Sequence, residues 1–347
     1  MKPPGHLVIY LSGRCNLRCG YCYSRSGAGP IKRRRLLAAI DAFMANGAAG
    51  KKVTFLGGEP ALHPALLRAA VERARRKGGH ALPIQVFTNG TLLGPAAARF
   101  LSRRGVRIVL SLDGARGDTD GGRRFRRGGG SVFKAALKNF PGRAKPAVSM
   151  VVTPANAARL AENIEALLGA GFKSLAWAPD ITARWDRPAL AALRRSALKV
   201  KASYLKALRL GRAYEIANIY EMLGLAQKGG RLDGCSNIAL APDGFFYPCD
   251  KMLGRGTAGL KRFRTGADGS GREAFFRLAA EAGARPSQVM CAVAPWAARR
   301  FSSGARAAGA LKEQAAVRKI VCRWLKDMAA LGLKYPAFRS AHGLGRL

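Results

Sequence analysis

The chain has 347 residues, of which 60 are Lys or Arg and 20 are Asp or Glu, so its formal net charge at pH 7 is +40. Hydrophobic residues make up 48% of the chain, which is enough for a buried core and excludes a disordered basic tail. The sequence shows no apolar run near the ~18 residues of a membrane span and no signal-peptide pattern. We therefore expect a soluble cytoplasmic protein without a membrane partner.

The excess of positive charge leaves open an attraction to RNA, to acidic peptides or to an acidic protein. The basic residues are nevertheless scattered over separate segments, among them 32–35, 73–77 and 123–127. A solvated basic surface explains this pattern as well as a nucleic-acid site does, so nucleic acid is an open but not a favoured partner.

Six short runs rich in apolar and β-branched residues alternate with amphipathic stretches along the first half of the chain. The predicted strands are Leu7–Leu11, Lys52–Leu56, Ile84–Thr88, Val106–Leu112, Val148–Thr153 and Lys173–Ala178. The predicted helices are Arg33–Ala45, Pro64–Lys77, Ala96–Arg104, Val132–Asn139 and Ala157–Gly169. This alternation predicts an α/β fold with a parallel sheet and right-handed crossovers. Six units are too few for an eight-unit barrel, so we expect a partial, open-sided (β/α)6 barrel.

The pattern changes after residue 185. Residues 187–228 predict two helices rich in Ala and Leu, Asp233–Cys249 predicts a hairpin around the turn Pro242-Asp243-Gly244, and 305–331 is again helical. The predicted division is a barrel over 1–185, a helical connection over 186–230 and a smaller α+β extension over 231–347.

Three of the seven cysteines, Cys15, Cys19 and Cys22, lie within eight residues directly after the first strand. An odd number of cysteines, three of them closely spaced, fits a disulfide framework poorly. It favours reduced thiolates that bind a metal or cluster. Three thiolates on one loop can hold three corners of a 4Fe-4S cluster and leave one iron without a protein ligand. Zinc is the alternative, but it needs four ligands, and the nearest histidines, His6 and His63, lie outside the loop.

Short motifs follow the other predicted strands: Gly57-Gly58-Glu59-Pro60, Thr88-Asn89-Gly90 and Ser111-Leu112-Asp113-Gly114. The carboxyl ends of parallel strands meet at one edge, where α/β proteins bind ligands. Paired glycines let the backbone approach a ligand closely, and a neighbouring carboxylate can bind an ammonium group. We therefore expect these motifs to converge on one mouth beside the cysteines.

The segment from Cys15 to Tyr23, Cys-Asn-Leu-Arg-Cys-Gly-Tyr-Cys-Tyr, resembles the signature of radical S-adenosylmethionine (radical SAM) enzymes. The Gly-Gly-Glu motif, the run Thr88 to Leu93 and Ser-Leu-Asp-Gly recur in the same order in that superfamily. The resemblance covers roughly residues 5–180. It implies a 4Fe-4S cluster on the three cysteines, S-adenosylmethionine bound to the open iron, and reductive cleavage to a 5′-deoxyadenosyl radical that abstracts a substrate hydrogen.

The resemblance also implies roles for residues at the mouth. Glu59 would bind the amine of S-adenosylmethionine, Ser111 and Arg123 would contact its ribose or carboxylate, and the Tyr21 backbone would contact its adenine. The rest of the implied cofactor-binding set consists of Gly57, Gly58, Asn89 and Asp113. The run Arg123–Arg127 would bind an acidic substrate peptide or the acidic electron donor, a flavodoxin or ferredoxin, unless it is a solvated loop.

Later features resemble the peptide-modifying branch, which includes the anaerobic sulfatase-maturing enzymes. They are Gly128–Phe133, Val148–Pro154 and the pair Cys235-x13-Cys249 with Gly244, which resembles the hairpin of the SPASM or twitch extension. This implies a peptide or protein substrate that is oxidised or crosslinked.

The four later cysteines, Cys235, Cys249, Cys291 and Cys322, suffice for one auxiliary 4Fe-4S cluster if the fold brings them together. A full SPASM extension needs more cysteines, so remnants of lost sites and a zinc site remain open. Asp250 matches an aspartate that accepts a proton in sulfatase-maturing relatives, and the alternative is a solvated turn residue.

Two other functions remain open. The same radical chemistry can act on RNA or a small molecule, and a non-catalytic relative would only bind a leader peptide. The intact cysteine triplet and Gly-Gly-Glu motif argue against the second, because a scaffold has no need of an open iron.

Overall fold

One nine-stranded sheet runs through the protein. The computed structural model describes residues 2–24, 26–142, 145–219, 235–284, 291, 293–303 and 308–342. The strands are β1 His6–Tyr10, β2 Lys52–Leu56, β3 Ile84–Thr88, β4 Val106–Ser111, β5 Ala147–Val152, β6 Ser174–Pro179, β7 Glu215–Ile216, β8 Asn237–Leu240 and β9 Phe246–Tyr247. Their order is β7-β6-β5-β4-β3-β2-β1-β8-β9, and β9 is antiparallel to β8 whereas all the other neighbours are parallel.

The first six strands follow one another in chain order, as the alternating pattern predicts. Helices cover them: α1 Arg33–Met44, α2 Pro64–Gly78, α3 Pro95–Arg103, α4 Arg116–Gly122, α5 Val132–Lys138 and α6 Leu160–Gly169. Within α1, Leu36, Ile40 and Phe43 recur at helical spacing and are fully buried against the sheet. β1 pairs with β8 and not with β6, so the sheet stays open. The predicted partial (β/α)6 barrel is confirmed.

The connection after β6 is described only in part. It begins with one 23-residue helix, α7 Arg187–Arg209, which the Asp186 carboxylate caps by accepting a bond from Ala189 N at 2.9 Å. The chain then turns into β7 at the sheet edge. Most of the second predicted helix falls on residues 220–234, which lie outside the described residues.

The predicted hairpin is confirmed as β8 and β9, closed by a bond from Ala241 N to Phe245 O. The sequence does not indicate that β8 also continues the barrel sheet beside β1. The extension adds the helices α8 Glu273–Glu281, α9 Val293–Ala297, α10 Ala308–Gly332 and α11 Pro336–Ala341. A second apolar cluster, with Tyr247, Phe275 and Trp296, packs against the face of β1 that carries Val8 and Tyr10. The boundaries at 185 and 230 stay a prediction.

Among the described residues, none of the helices combines the length and the apolar character needed to cross a membrane.

Candidate radical cofactor site

The loop after β1, residues 11–32, carries Cys15, Cys19 and Cys22, and two other strand ends hold it in place. Gly58 N donates to Ser12 O at 3.0 Å, and Glu59 N donates to Arg14 O at 2.8 Å. A Cβ on Gly58 would overlap the Arg14 carbonyl, and Gly57 has φ +122°, a backbone region that favours glycine. The two glycines therefore let the cysteine loop pack directly on the end of β2.

Glu59 is fully enclosed, with 2% of its surface exposed. Its Oε1 accepts bonds from Ala61 N at 2.9 Å and Thr88 Oγ1 at 2.7 Å, and its Oε2 accepts one from Asn89 N at 2.8 Å. Burial raises the pKa of this carboxyl group, and the three bonds oppose that effect. A carboxylate has about four acceptor positions, so one on Oε2 remains for a ligand donor.

Asn89 joins the third strand end to the cysteine loop. Its Nδ2 donates to Asn16 Oδ1 at 2.9 Å and lies 3.9 Å from Cys15 Sγ, while Asn16 Nδ2 donates to Thr91 Oγ1 at 2.8 Å. Asn16 is a residue that we did not single out from the sequence, although its place between two cysteines is a signal. Ser111, the half-buried last residue of β4, lies opposite Ser149 of β5.

Asp113 and Arg123 form a buried bidentate ion pair at the fourth strand end. Arg123 Nε donates to Asp113 Oδ2 at 3.0 Å, and Nη2 donates to Oδ1 at 2.8 Å. The Tyr21 hydroxyl also donates to Asp113, as does Val151 N at 2.9 Å. Burial lowers the pKa of Arg123, but the Asp113 carboxylate outweighs it, so the net shift is upward. Arg123 therefore fixes the mouth through Asp113, and the Tyr21 side chain ties the cysteine loop to β4.

The three thiols of the loop fit a cluster better than a single ion. Burial raises the pKa of Cys15 to about 11 and that of Cys19 to about 12, and negative charge on the neighbouring thiols of the triplet adds to both shifts. No group of three His, Cys, Asp or Glu side chains in the described part of the chain can hold a single metal ion. A cubane offers a separate iron to each thiol and supplies the positive charge that deprotonates it.

Ser24 offers a further polar group beside the triplet. Its carbonyl oxygen accepts a bond from Cys22 Sγ at 3.1 Å. Its hydroxyl is buried and has no hydrogen-bond partner among the described atoms. A buried polar group without a partner costs free energy unless a ligand satisfies it, so this hydroxyl fits a site that takes a polar ligand.

Cys235, Cys249 and Cys291 form a second group in the apolar cluster of the extension. Burial raises the pKa of Cys235 to about 11 and that of Cys249 well above its usual range. Charge on Cys291 adds to both shifts. Cys322 lies on α10 and packs against the other core, that of the barrel and its helices. Three of the four predicted ligands thus share the apolar cluster of the extension, whereas Cys322 packs against the other core.

Arg272 is buried beside this second group, with 1% of its surface exposed. Its Nη2 donates to Cys235 O and its Nη1 to Asn237 O, both at 3.1 Å, while its Nε has no hydrogen-bond partner among the described atoms. A buried cation needs negative charge nearby. The donor set of three thiols with this guanidinium fits an anionic cluster.

Asp250 is buried, so the reading of a solvated turn residue is wrong. Lys251 Nζ donates to Asp250 Oδ2 at 2.6 Å and to the Tyr23 hydroxyl at 2.9 Å, and Tyr10 donates to Asp250 O at 3.2 Å. Burial lowers the pKa of Lys251, but Asp250 outweighs it and the net shift is upward. This network joins the cysteine loop, through Tyr23, to the residue after Cys249. Tyr23 and Lys251 are 228 positions apart, and nothing in the sequence places them together.

A cavity of about 300 Å³ lies between the later part of the cysteine loop and the extension. Its lining includes Tyr10, Gly29 and Pro30 on one side and Asp243 and Thr257 on the other. The residues that line it come from both halves of the chain.

Residues 9–176 match the radical SAM superfamily, over the strand ends and cysteines described above. The chain carries a radical SAM domain. The family implies a 4Fe-4S cluster and S-adenosylmethionine, and the thiols, Glu59 and Ser24 described above fit both.

Curated relatives match part of the radical SAM domain. GTP 3',8-cyclase of Geobacter sulfurreducens is 34% identical over 123 residues, which are 33% of this chain and 36% of that protein. The chain thus spans about a third of the length of such relatives.

Solved structures resemble a larger part of the chain. AnSMEcpe with bound AdoMet and the Cp18Cys peptide has a TM-score of 0.69 at 20% identity and covers 94% of this chain and 99% of its own. Streptococcus suis SuiB bound to the precursor peptide SuiA has a TM-score of 0.53 at 17% identity, over 77% of this chain and 63% of its own. At these identities the likeness shows the shared fold, which extends beyond the radical SAM domain into the C-terminal extension.

Proposed function

We propose that this protein is a radical SAM enzyme that oxidises or crosslinks a side chain of a peptide or protein. The observation that supports the radical chemistry is the packing of the cysteine loop onto Gly58 and Glu59, since the Glu59 carboxylate has one acceptor position left. S-adenosylmethionine on a reduced 4Fe-4S cluster supplies a 5′-deoxyadenosyl radical, which takes a hydrogen atom from the substrate. The peptide substrate is supported by the fold shared with anSMEcpe and SuiB, whose structures hold peptides.

The residues of the mouth have separate roles in this proposal. Cys15, Cys19 and Cys22 hold the cluster, and Glu59 Oε2 binds the ammonium group of S-adenosylmethionine. The Tyr21 backbone, Asn89 and Ser111 contact the rest of the cofactor. Arg123 and Asp113 position that mouth through their ion pair. Reduced thiols of this kind require a reducing compartment, which supports a cytoplasmic location.

The radical chemistry is tested by anaerobic reconstitution with iron and sulfide, reduction with dithionite and measurement of 5′-deoxyadenosine. The wild-type protein should form it, and Cys19→Ala should not, because the cluster loses one of three ligands. The matched control Cys322→Ala changes a cysteine that packs against the other core, on α10, and should keep wild-type formation. A wild-type protein with full iron content and no cleavage would instead support the non-catalytic, leader-peptide-binding alternative.

We further propose that Cys235, Cys249 and Cys291 hold one auxiliary 4Fe-4S cluster beside Arg272. Reconstituted wild-type protein should then contain about eight irons per chain. Cys235→Ala should retain about four, whereas Cys322→Ala should retain about eight. If Cys235→Ala leaves the iron content unchanged, these cysteines are remnants of lost sites.

Asp250 is the proposed proton acceptor for the substrate as it is oxidised. It lies next to Cys249 and shares a hydrogen-bond network with Tyr23 of the cysteine loop. Asp250→Asn should keep 5′-deoxyadenosine formation but lose substrate oxidation by about 100-fold, the lower part of the range for general-base catalysis. Full product formation in Asp250→Asn would remove this role.

A small-molecule substrate is the second candidate, because the curated relatives at 34% identity include GTP 3',8-cyclases. The two candidate substrates are compared by incubating the reconstituted protein in deuterated water, either with GTP or with peptides rich in Cys and Ser. The 5′-deoxyadenosine formed and the mass of the product are then measured. The proposed function predicts faster 5′-deoxyadenosine formation and a mass change with a peptide. Turnover of GTP with no response to any peptide would favour the second candidate.

A further inference from the structure

Five exposed arginines lie on two segments that pair with each other, and we call this set the arginine face: Arg14, Arg18, Arg124, Arg126 and Arg127. The first two belong to the loop and the others to the segment after α4. Leu17 and Phe125 form an antiparallel bridge between the two segments, and Arg18 N donates to Arg124 O at 2.6 Å. Positive charges more than 100 positions apart are thus brought together.

The charge of this face is not compensated locally. Residues 11–31 and 121–131, which supply it, contain no Asp or Glu. Within the described part of the chain, none of the five arginines forms an ion pair with a carboxylate. Asp113, close by in the fold, is buried and already bound to Arg123. An exposed cluster of like charge is unfavourable alone and attracts an acidic partner.

The arginine face also lies against the cluster cysteines. Arg126 Nε donates to Cys15 O at 2.9 Å, and Arg18 directly precedes Cys19. Cys15, Cys19 and Cys22 are themselves half-buried. A protein that docks on this face therefore contacts the loop that carries the three cysteines.

We propose that the arginine face is the docking surface for a small acidic one-electron donor protein. The inference rests on the proposed function, in which the cluster must gain one electron and the donor loses it. Electron transfer slows steeply with distance, so the donor has to approach over the cysteine loop. Electron-transfer complexes are held by small surfaces, below ~1,200 Å², and complementary charge speeds their encounter. The observations favour a donor over an acidic substrate peptide, because the cavity shared with the extension lies on other residues, such as Gly29 and Asp243.

The test uses reconstituted holoenzyme and a flavodoxin as the acidic donor. The variant Arg18→Glu/Arg124→Glu changes two exposed side chains, and the bond between them joins backbone atoms, so the loop should keep its structure. The matched control is Arg209→Glu/Arg212→Glu. These two arginines are also exposed, but α7 runs back to the opposite edge of the sheet from the cysteine loop.

At 50 mM salt, the variant should bind flavodoxin and accept its electron at least ~10-fold more weakly than wild type, and the wild-type advantage should shrink at 500 mM salt. Reduction by dithionite and the resulting 5′-deoxyadenosine should stay within about twofold of wild type for both variants. The control should behave as wild type in every assay.

The proposal would be overturned if the variant bound flavodoxin as tightly as the wild-type protein does. It would also be overturned if the variant and its control lost the same amount of flavodoxin affinity. A loss with dithionite as large as that with flavodoxin would also overturn it, because the arginines would then serve the cofactor site. A fourth result would also overturn it. If the variant loses binding of a poly-glutamate peptide or of tRNA but still binds flavodoxin, the arginine face serves that other ligand. Absence of 5′-deoxyadenosine from wild type with dithionite would be a failure of the proposed function itself.

Discussion

The buried charges of Asp113 and Arg123 stabilise the strand ends that form the mouth of the site. Asp113 is 1% exposed and accepts bonds from three chain segments: the Arg123 guanidinium, the Tyr21 hydroxyl and Val151 N. Removal of one member of a buried ion pair leaves the other charge without compensation in a medium of low polarity. The pair is therefore a larger determinant of stability than the exposed ion pairs of the helices.

The change Asp113→Asn should lower the free energy of unfolding by about 3–5 kcal/mol, since Arg123 would remain buried and charged. Urea unfolding of the apo protein, followed by circular dichroism, measures it. The matched control is Glu162→Gln, whose partner Lys199 and own side chain are both more than half exposed, and it should cost less than about 1 kcal/mol. Equal midpoints for the two variants would contradict the argument.

At the scale of single residues, the sequence identified candidate site residues better than it predicted the contacts between them. The three cysteines, Glu59 and Asp113 were identified because their motifs are local and contiguous. The bond between the Tyr21 hydroxyl and Asp113 spans 92 positions, and the bond between Lys251 and Tyr23 spans 228. Such contacts depend on the packing of whole elements, which a local motif does not contain.

The seam between β1 and β8 joins the barrel to its extension, and His6 lies in it. His6 Nδ1 bonds Asn237 Oδ1 of β8 at 2.9 Å, and Nε2 bonds Thr54 Oγ1 of β2 at 2.8 Å. Burial, with the charge of Lys52, lowers the pKa of His6 from 6.5 to about 4. The neutral ring therefore stabilises the seam above about pH 6.5, and this stabilisation is lost as pH falls towards 4.

From this pKa shift we expect unfolding free energy to fall by about 2 kcal/mol between pH 7 and pH 5 through His6 alone, because the unfolded state takes up the proton that the folded state excludes. In His6→Gln this part of the pH dependence should vanish. The exposed His80→Gln serves as control and should keep the wild-type pH dependence. Urea midpoints at pH 5, 6 and 7 provide the comparison, and a wild-type pH dependence in His6→Gln would refute the assignment.

The ends of α2 and α3 are joined by one arginine. Arg75 is 7% exposed, and its guanidinium donates to carbonyl oxygens of Leu82, Arg104 and Gly105, at 2.6, 2.6 and 3.0 Å. These carbonyls belong to the turns that lead into β3 and β4. The guanidinium thus holds the start of two neighbouring strands in register.

The change Arg75→Met keeps the aliphatic stem but leaves those carbonyls without their donor, so it should cost about 2–4 kcal/mol of unfolding free energy. Its neighbour Arg76 is exposed, and Arg76→Met should cost no more than about 0.5 kcal/mol. Thermal and urea unfolding of the two variants measure the difference. A cost for Arg75→Met no greater than that for Arg76→Met would show that the bonds are replaced by water.

At the scale of the whole molecule, the net charge of +40 gives the protein an affinity for any polyanion. Binding of this kind arises from phosphate contacts and counterion release, so it falls steeply with salt and does not depend on base sequence. The arginine face is one local concentration of that charge.

A random-sequence RNA should therefore bind at 50 mM salt and weaken by at least ~10-fold at 200 mM, in parallel with heparin. Fluorescence anisotropy over a salt series gives the slope. An RNA of defined sequence that still binds tightly at 200 mM salt, against a random competitor, would contradict this and favour an RNA substrate.

The sequence by itself determined the six strand-helix units, the place of the cysteine triplet and the motifs at the strand ends, because periodicity and short motifs are properties of neighbouring residues. Only the tertiary structure decided that β8 pairs with β1, that Cys322 stays apart from Cys235, Cys249 and Cys291, and that Arg14 and Arg18 meet the segment after α4. The physical reason is that β1 with β8, and the cysteine loop with the segment after α4, pair across more than 100 positions, while the later cysteines are divided between two separately packed cores. Their pairing is set by the burial of whole sheet and helix faces and not by any local pattern.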